Sequence, residues 1–316
     1  MTRRGLLLAA PSLVLARRSL ATEWRGIWRD ASRVRDLPIL LRLPEEAGPR
    51  PAVLLSHGLG GSREGLGYLG RSLAASGFVA LHLQHPGTDE TVWRGAADRS
   101  SAVAAAVLDV GNAVARLQDG IFAVTEMLRR AALPGDPLAG RVDAGRLAVA
   151  GHSYGAWVVQ HLLGQRIPGG DRGLALPDRR LAAGVALSPL PPRGLPPRIA
   201  FSRVEVPILH VTGTRDVAYL DGATPEDREI PFRAIAAPGQ VLAVLDGATH
   251  AAFADEPGAG ARWSDPTYHA RTAALAVLFL RATLVGDGAA RAALQAGAPG
   301  LLAPGDRMEL RPAPAR

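Results

Sequence analysis

Nearly unbroken apolar runs of five or six residues recur along the chain, at 51–56, 78–83, 146–150, 182–187, 207–212 and 241–245. Runs this short and this apolar belong to strands buried on both faces. Between them the apolar positions take helical spacing. Residues 68–76 put Leu69 and Leu73 on one side and stop at Gly77; residues 100–133 are alanine-rich, break near Gly111 and end at Pro134-Gly135. A last helix is expected over 265–284. Residues 24–43 alternate weakly around Arg33-Val34-Arg35-Asp36, which predicts two antiparallel strands at a sheet edge. Strands separated by helical segments predict an α/β fold with a mostly parallel sheet of about eight strands and helices on both faces. That domain is expected to span 22–285. Residues 286–316 are rich in Ala, Gly and Pro and read as a surface tail with one short helix at 289–294.

Composition narrows the functional classes. With 316 residues and 47% apolar side chains the chain can bury a full core. There is no cysteine, so thiolate chemistry and disulfides are excluded. The formal charge is +7 and all 36 basic residues are arginine. They are spread among acidic residues with no aromatic interleaving, which reads as a solvated surface and not a nucleic-acid face. No apolar run reaches the roughly 18 residues that span a bilayer. The first residues read as an export signal: Arg3-Arg4 precede an apolar stretch to Ala16, and Ser19-Leu20-Ala21 offers small residues where a signal peptidase cuts. Residues 1–21 are therefore expected to direct a periplasmic or secreted location, with a cytoplasmic one as the alternative.

The chemistry gathers at 147–163. An apolar run ends at Ala150, Gly151-His152-Ser153-Tyr154-Gly155 follows, and a helical stretch runs on to Leu163. This is strand, sharp turn and helix with a serine at the apex, the G-x-S-x-G nucleophile elbow, in which small residues two before and two after the serine let the backbone close. A serine needs a base, and the base needs a third group to orient it. Of eight histidines, His250 is best placed, in the loop after the run at 241–245. His82 and His210 lie inside apolar strands, His161 and His269 on helices, and His152 within the elbow reads as packing. Asp216 follows the preceding strand directly and is the expected acid, with Asp221 in reserve. Ser153, Asp216 and His250 fall in the nucleophile–acid–histidine order of α/β-hydrolases. His57-Gly58-Leu59-Gly60-Gly61 follows an early strand and suits an oxyanion loop, with backbone N–H groups of Leu59 (Gly60 in reserve) and Tyr154 as donors. It lacks the Lys-Ser/Thr of a phosphate loop.

These stretches, with Leu83-Gln84-His85-Pro86-Gly87 and Gly213-Thr214-Arg215-Asp216, resemble the serine esterases of the α/β-hydrolase superfamily. The nearest likeness is to the dienelactone-hydrolase-like and platelet-activating-factor-acetylhydrolase-like group, over about 25–285. Dienelactone hydrolases proper use a cysteine nucleophile, so their lactone substrate does not carry over. The elbow continues with Ala156 where many relatives carry glycine. The resemblance implies the α/β-hydrolase fold and hydrolysis of carboxylic esters through an acyl-enzyme, with no cofactor and no metal. No lid insertion is evident, so short or medium acyl chains are expected, and a polymeric ester is a further candidate substrate. The loops at 88–99 and 188–204 are expected to rim the site, with Trp93 and Trp263 as candidates to line it, while Trp157, four residues beyond Ser153 on the helix, reads as core. A peptidase or amidase with the same triad, and a non-catalytic binding protein on the same fold, are the competing readings. Oligomeric state is not encoded in these patterns.

Overall fold

The computed structural model describes residues 22–169, 173–218, 222–255 and 265–311. The expected export signal, Asp221 and Trp263 lie outside the described residues.

The edge strands β1 (Thr22–Asp30) and β2 (Arg35–Leu43) pair antiparallel along their whole length, Thr22 opposite Leu43. There follow β3 (Arg50–Ser56), α1 (Gly67–Ala75), β4 (Val79–Leu83), α2 (Arg99–Leu108), α3 (Val110–Ala131), β5 (Val142–His152) and α4 (Tyr154–Leu162). The second half comprises β6 (Leu181–Leu187), α5 (Pro197–Ala200), β7 (Ile208–Arg215), α6 (Ile230–Ala234), β8 (Val241–Thr249), α7 (Pro266–Leu280), α8 (Gly288–Gln295) and β9 (Arg307–Leu310). All nine strands form one mixed sheet in the order β1-β2-β4-β3-β5-β6-β7-β8-β9. The six strands from β4 to β8 are parallel, β2 and β9 run against them, and β1 at the edge pairs antiparallel with β2. This is an α/β fold consistent with an α/β-hydrolase-like topology.

Alternation along the strands builds two cores, one on each face. Val53, Leu55, Ala148, Ala150, Val185 and Val211 point to the side covered by α1 and α7. Ala52, Leu54, Leu81, Leu147 and Val149 point to the side covered by α3 and α4. Because both faces are covered, the inner strands are apolar nearly throughout, which is why the runs in the sequence are continuous. At about 25 cal/mol per Å2, each fully buried leucine or valine contributes roughly 1.5–3 kcal/mol relative to an exposed one.

Three expectations need correction. The break in the long alanine-rich segment falls at Asp109, two residues before Gly111. The Asp109 carboxylate accepts the Gly111 N–H at 2.7 Å and caps α3, satisfying a donor that has no intrahelical partner. The segment after Gly286 is not merely a tail. Ala290 and Leu294 of α8 and Ala298 beyond it join the core against α7, and β9 pairs with β8, Val241 opposite Leu310. An unpaired edge on β8 would leave a row of backbone donors and acceptors open, and β9 closes it. The last long helix also ends earlier than expected, at Leu280, where a π-helical turn (Arg281–Val285) takes over until Gly286 stops it in the left-handed conformation.

Candidate active site

The strand order reverses between β3 and β5: β4 lies on one side of β3, and every later strand is added on the other. Crevices open at such a switch point beyond the carboxyl ends of the strands. The loop after β3, at 57–61, and the elbow after β5 meet there.

The elbow is closed by contacts only glycine allows. A Cβ on Gly151 would sit 2.4 Å from the Gly155 carbonyl, and one on Gly155 would sit 1.9 Å from the Ser56 carbonyl oxygen. Ser153 itself takes φ 54° and ψ −116°, a conformation that costs a non-glycine residue on the order of 1–3 kcal/mol. Its N–H is anchored to the Leu187 carbonyl (2.9 Å) and its carbonyl starts α4 by accepting from Trp157 (3.0 Å). The strain aims Ser153 Oγ at the crevice.

Ser153 Oγ lies 2.9 Å from His250 Nε2, and His250 Nδ1 lies 2.8 Å from Asp216 Oδ1. The two loops that carry Asp216 and His250 approach because Gly213 has no side chain: a Cβ there would lie 2.1 Å from the Ala248 carbonyl oxygen. Asp216 is fully buried. Burial works to raise its pKa, but the hydrogen bond and charge of His250 and the nearby Arg228 outweigh it and hold the carboxyl below its ordinary value. Thr212 Oγ1 donates to the second oxygen, Oδ2, at 2.8 Å, and Arg228 Nε stands 3.6 Å from Oδ1. An ionised Asp216 accepts from Nδ1–H, so the lone pair of the neutral imidazole sits on Nε2, facing the serine hydroxyl.

His152 does more than pack. Its Nε2–H donates to the His250 backbone carbonyl at 3.0 Å, and the two rings lie 4.8 Å apart. Burial, with the neighbouring His250, lowers its pKa to about 3, so it stays neutral and keeps one fixed donor on the loop of the candidate base.

Two amides of the loop at 57–61 are already committed. Gly60 N–H donates to the Thr88 carbonyl at 2.8 Å and Gly61 N–H to the Gly58 carbonyl at 3.2 Å. Trp93 Nε1–H donates to the Gly60 carbonyl at 2.7 Å. Among the described residues neither Leu59 N–H nor Tyr154 N–H, at the start of α4, has an acceptor. Gly60, the reserve donor, is thus already committed, and Leu59 and Tyr154 remain. His57 strengthens the first of them. The His85 N–H donates to His57 Nε2 (3.0 Å), which puts the ring proton on Nδ1, and Nδ1–H donates to the Gly58 carbonyl (2.6 Å). That carbonyl shares a peptide group with the Leu59 N–H, and hydrogen bonds in a chain polarise one another. Gly58 brings the loop against the elbow: a Cβ there would lie 3.7 Å from the Ser153 Cβ.

A second Ser–His–Asp array lies beneath the first. Ser56 Oγ is 3.0 Å from His85 Nε2, and His85 Nδ1 is 3.0 Å from Asp119 Oδ2. All three are buried, and Ser56 sits within a regular strand, so this array cannot meet a substrate. Asp119 also accepts from Arg33 (2.9 Å) and Arg35 (2.8 Å). Burial works to raise the Asp119 pKa, yet the bonds from His85 and Arg35 hold it far below the carboxylate range. Burial and the adjacent Arg116 push His85 down to about 4, so it is a neutral tie.

The sequence signals single out Ser153, His250 and Asp216, which the structure brings into one hydrogen-bonded array, and Leu59 and Tyr154, one on the loop packed against the elbow and the other next to the serine. They miss Ser56, Arg116, Asp119 and Thr212, which carry no motif. Helical spacing offered one clue, since Arg116, Gly120, Ala123 and Met127 share the buried stripe of α3. The remaining strand and helix histidines are bonded core groups: His82 Nδ1 is 3.0 Å from the Gly65 carbonyl, His161 Nδ1 is 2.8 Å from the Trp157 carbonyl, and His210 Nε2 is 3.3 Å from Gln240. Trp157 is half-buried between the Tyr154 ring (5.4 Å) and the His161 ring (4.0 Å). Cavities of about 500 Å3 beside α4 and β6, and about 400 Å3 between α7 and α8, include no residue of the Ser153 array. The chain matches no protein-family model and no curated protein.

Proposed function

We propose that the chain is a serine hydrolase of carboxylic esters, of the α/β-hydrolase esterase type and nearest to its dienelactone-hydrolase-like and platelet-activating-factor-acetylhydrolase-like members. The observation that carries this is the unbroken hydrogen-bond chain Ser153–His250–Asp216 ending beside two free backbone donors. In the first half-reaction His250 Nε2 takes the hydroxyl proton as Ser153 Oγ bonds to the ester carbonyl carbon. The carbonyl π electrons move to oxygen, and the Leu59 and Tyr154 N–H groups stabilise that oxyanion. Asp216 keeps the imidazole oriented and stabilises the imidazolium. The tetrahedral species collapses, the alkoxy group leaves with the proton from Nε2, and an acyl-enzyme remains. Water, deprotonated by His250, then attacks the acyl carbon; Ser153 leaves with that proton and the acid departs.

Substrate size follows from the rim. Between β6 and β7 the described chain holds only the four-residue α5 and loop, with no lid domain over the elbow. That favours esters with short or medium acyl chains, or an exposed ester on a polymer. Export is part of the same proposal, on the strength of Arg3-Arg4 and the apolar stretch that follows.

The test is labelling with a fluorophosphonate followed by peptide mass spectrometry, on wild type and Ser153→Ala, alongside a panel of esters and anilides. A single adduct on Ser153, absent from the variant, with turnover of esters and not anilides, is the expected result. Folded wild-type protein that takes no label would overturn the proposal.

A further inference from the structure

The Leu59 donor belongs to a loop with three glycines in five residues, and the bonds that tie its peptide group, from His57 Nδ1–H and Gly61 N–H to the Gly58 carbonyl, lie within that loop. Such a loop has wide backbone freedom. Oxyanion donors are effective only when they are already aimed before the charge develops. Bonds within the loop fix its shape but not its placement against the elbow, which contacts from outside the loop must set.

Arg116 reaches it from the buried face of α3. Its guanidinium is completely buried. Nη1 donates to Thr88 Oγ1 at 3.0 Å, and Nη2 donates to Ser56 Oγ at 3.1 Å and to the His57 carbonyl. The Thr88 carbonyl in turn accepts the Gly60 N–H. The plane of charge also lies over the Tyr154 ring, 4.4 Å from its centroid. One side chain therefore touches the start of the oxyanion loop, the segment that anchors its middle, and the residue that supplies the second donor.

We propose that Arg116 is a positioning residue of the oxyanion hole, holding the 57–61 loop and Tyr154 in register and placing a positive charge behind the two donors. The proposal rests on the esterase reading of the site. The fork geometry matters because three acceptors on two segments, Ser56-His57 and Thr88, are spanned by one rigid planar group. The charge matters because these direct partners are neutral oxygens. The nearest carboxylate on α3, Asp119, is engaged by Arg33, Arg35 and His85, and Arg116 makes no ion pair among the described residues. Burial lowers its pKa, but only to about 10, so the group remains a cation at neutral pH. An oxyanion forming at Leu59 and Tyr154 would meet that field in a region screened from water.

The experiment compares wild type, Arg116→Lys and Arg116→Met by three measurements. The first is kcat and KM on a neutral p-nitrophenyl ester. The second is affinity for a trifluoromethyl ketone, which binds a reactive serine as a hemiketal oxyanion. The third is hydrogen exchange of the Gly60 amide without substrate. Arg116→Met should lower kcat by about 10²-fold, the size of effect seen when an oxyanion donor is lost. KM should barely move, ketone affinity should fall with kcat, and Gly60 should lose protection. Arg116→Lys keeps the charge but not the fork and should fall between the two. A folded Arg116→Met protein with wild-type kcat, ketone affinity and Gly60 protection overturns the proposal, as does a loss confined to KM. If the methionine variant does not fold, a lysine variant indistinguishable from wild type overturns it. Wild type that fails to label at Ser153 removes the esterase reading instead, and Gly60 exchange still decides whether Arg116 holds the loop.

Discussion

Ser153 holds its place against its own backbone preference, and the cost is met by neighbours that cannot change. Gly155 is the least replaceable of them, because a methyl group there would overlap the Ser56 carbonyl at 1.9 Å, backbone against backbone. Gly155→Ala is expected to destabilise the fold by more than the ~1–3 kcal/mol of ordinary overpacking and to abolish labelling at Ser153; urea denaturation with fluorophosphonate labelling checks both. Asp216→Asn is a different kind of change. It keeps the volume but presents an amide where Nδ1–H needs an acceptor, so it favours the wrong imidazole tautomer. A loss of about 10⁴-fold in kcat is expected with near-wild-type folding, measured by steady-state kinetics beside thermal denaturation. Ser153, Asp216 and His250 were legible in the sequence because each directly follows a strand. Arg116, Asp119 and Ser56 were not, because a charged residue on a helix or inside a strand carries no sign of what it will meet across the fold.

At the scale of elements, the α2–α3 joint sets where the buried arginine stands. Asp109 ends one helix and caps the next, and α3 carries both Arg116 and Asp119 to the underside of the site. Asp109→Ala is expected to lower unfolding free energy by about 1 kcal/mol, the usual worth of a cap, read from the urea midpoint at constant m value. The cap was missed in favour of Gly111 because glycine is the stronger breaker in isolation, whereas in the first turn of a helix it is tolerated. The buried strands were legible from continuous apolarity. The edge strand β9, Arg-Met-Glu-Leu, was not. Its residues look like any polar loop, and it is a strand only because β8 offers an open edge.

The whole molecule keeps six of its eight histidines buried: His57, His82, His85, His152, His161 and His210. Burial is the leading cause in each case and depresses every one of their pKa values, with His85, His161 and His210 at about 4 and His57 and His82 well below 6.5. In the unfolded chain these groups take up protons near pH 6.5. The unfolded state therefore binds more protons below that pH, and stability, full above about 6.5, falls steadily as the pH drops toward 4. Urea denaturation between pH 7.5 and 4 should show this decline, and His161→Gln should make it shallower; a flat profile would contradict neutral buried imidazoles. Arginine, taken from the sequence as a surface residue throughout, is also buried at Arg42, Arg116 and Arg228. Each is hydrogen-bonded to groups far away in the chain.

The sequence alone determined the class of fold and the order of the candidate residues. Local periodicity distinguishes doubly covered strands from helices, and a glycine-flanked serine between strand and helix can close only as an elbow. Tertiary structure alone decided that Asp216 reaches His250, that Gly60 N–H is already bonded, and that a buried guanidinium contacts the 57–61 loop. Those depend on contacts between segments as far apart as Ser56 and Arg116, where burial removes competing water and turns a polar side chain into a fixed tie.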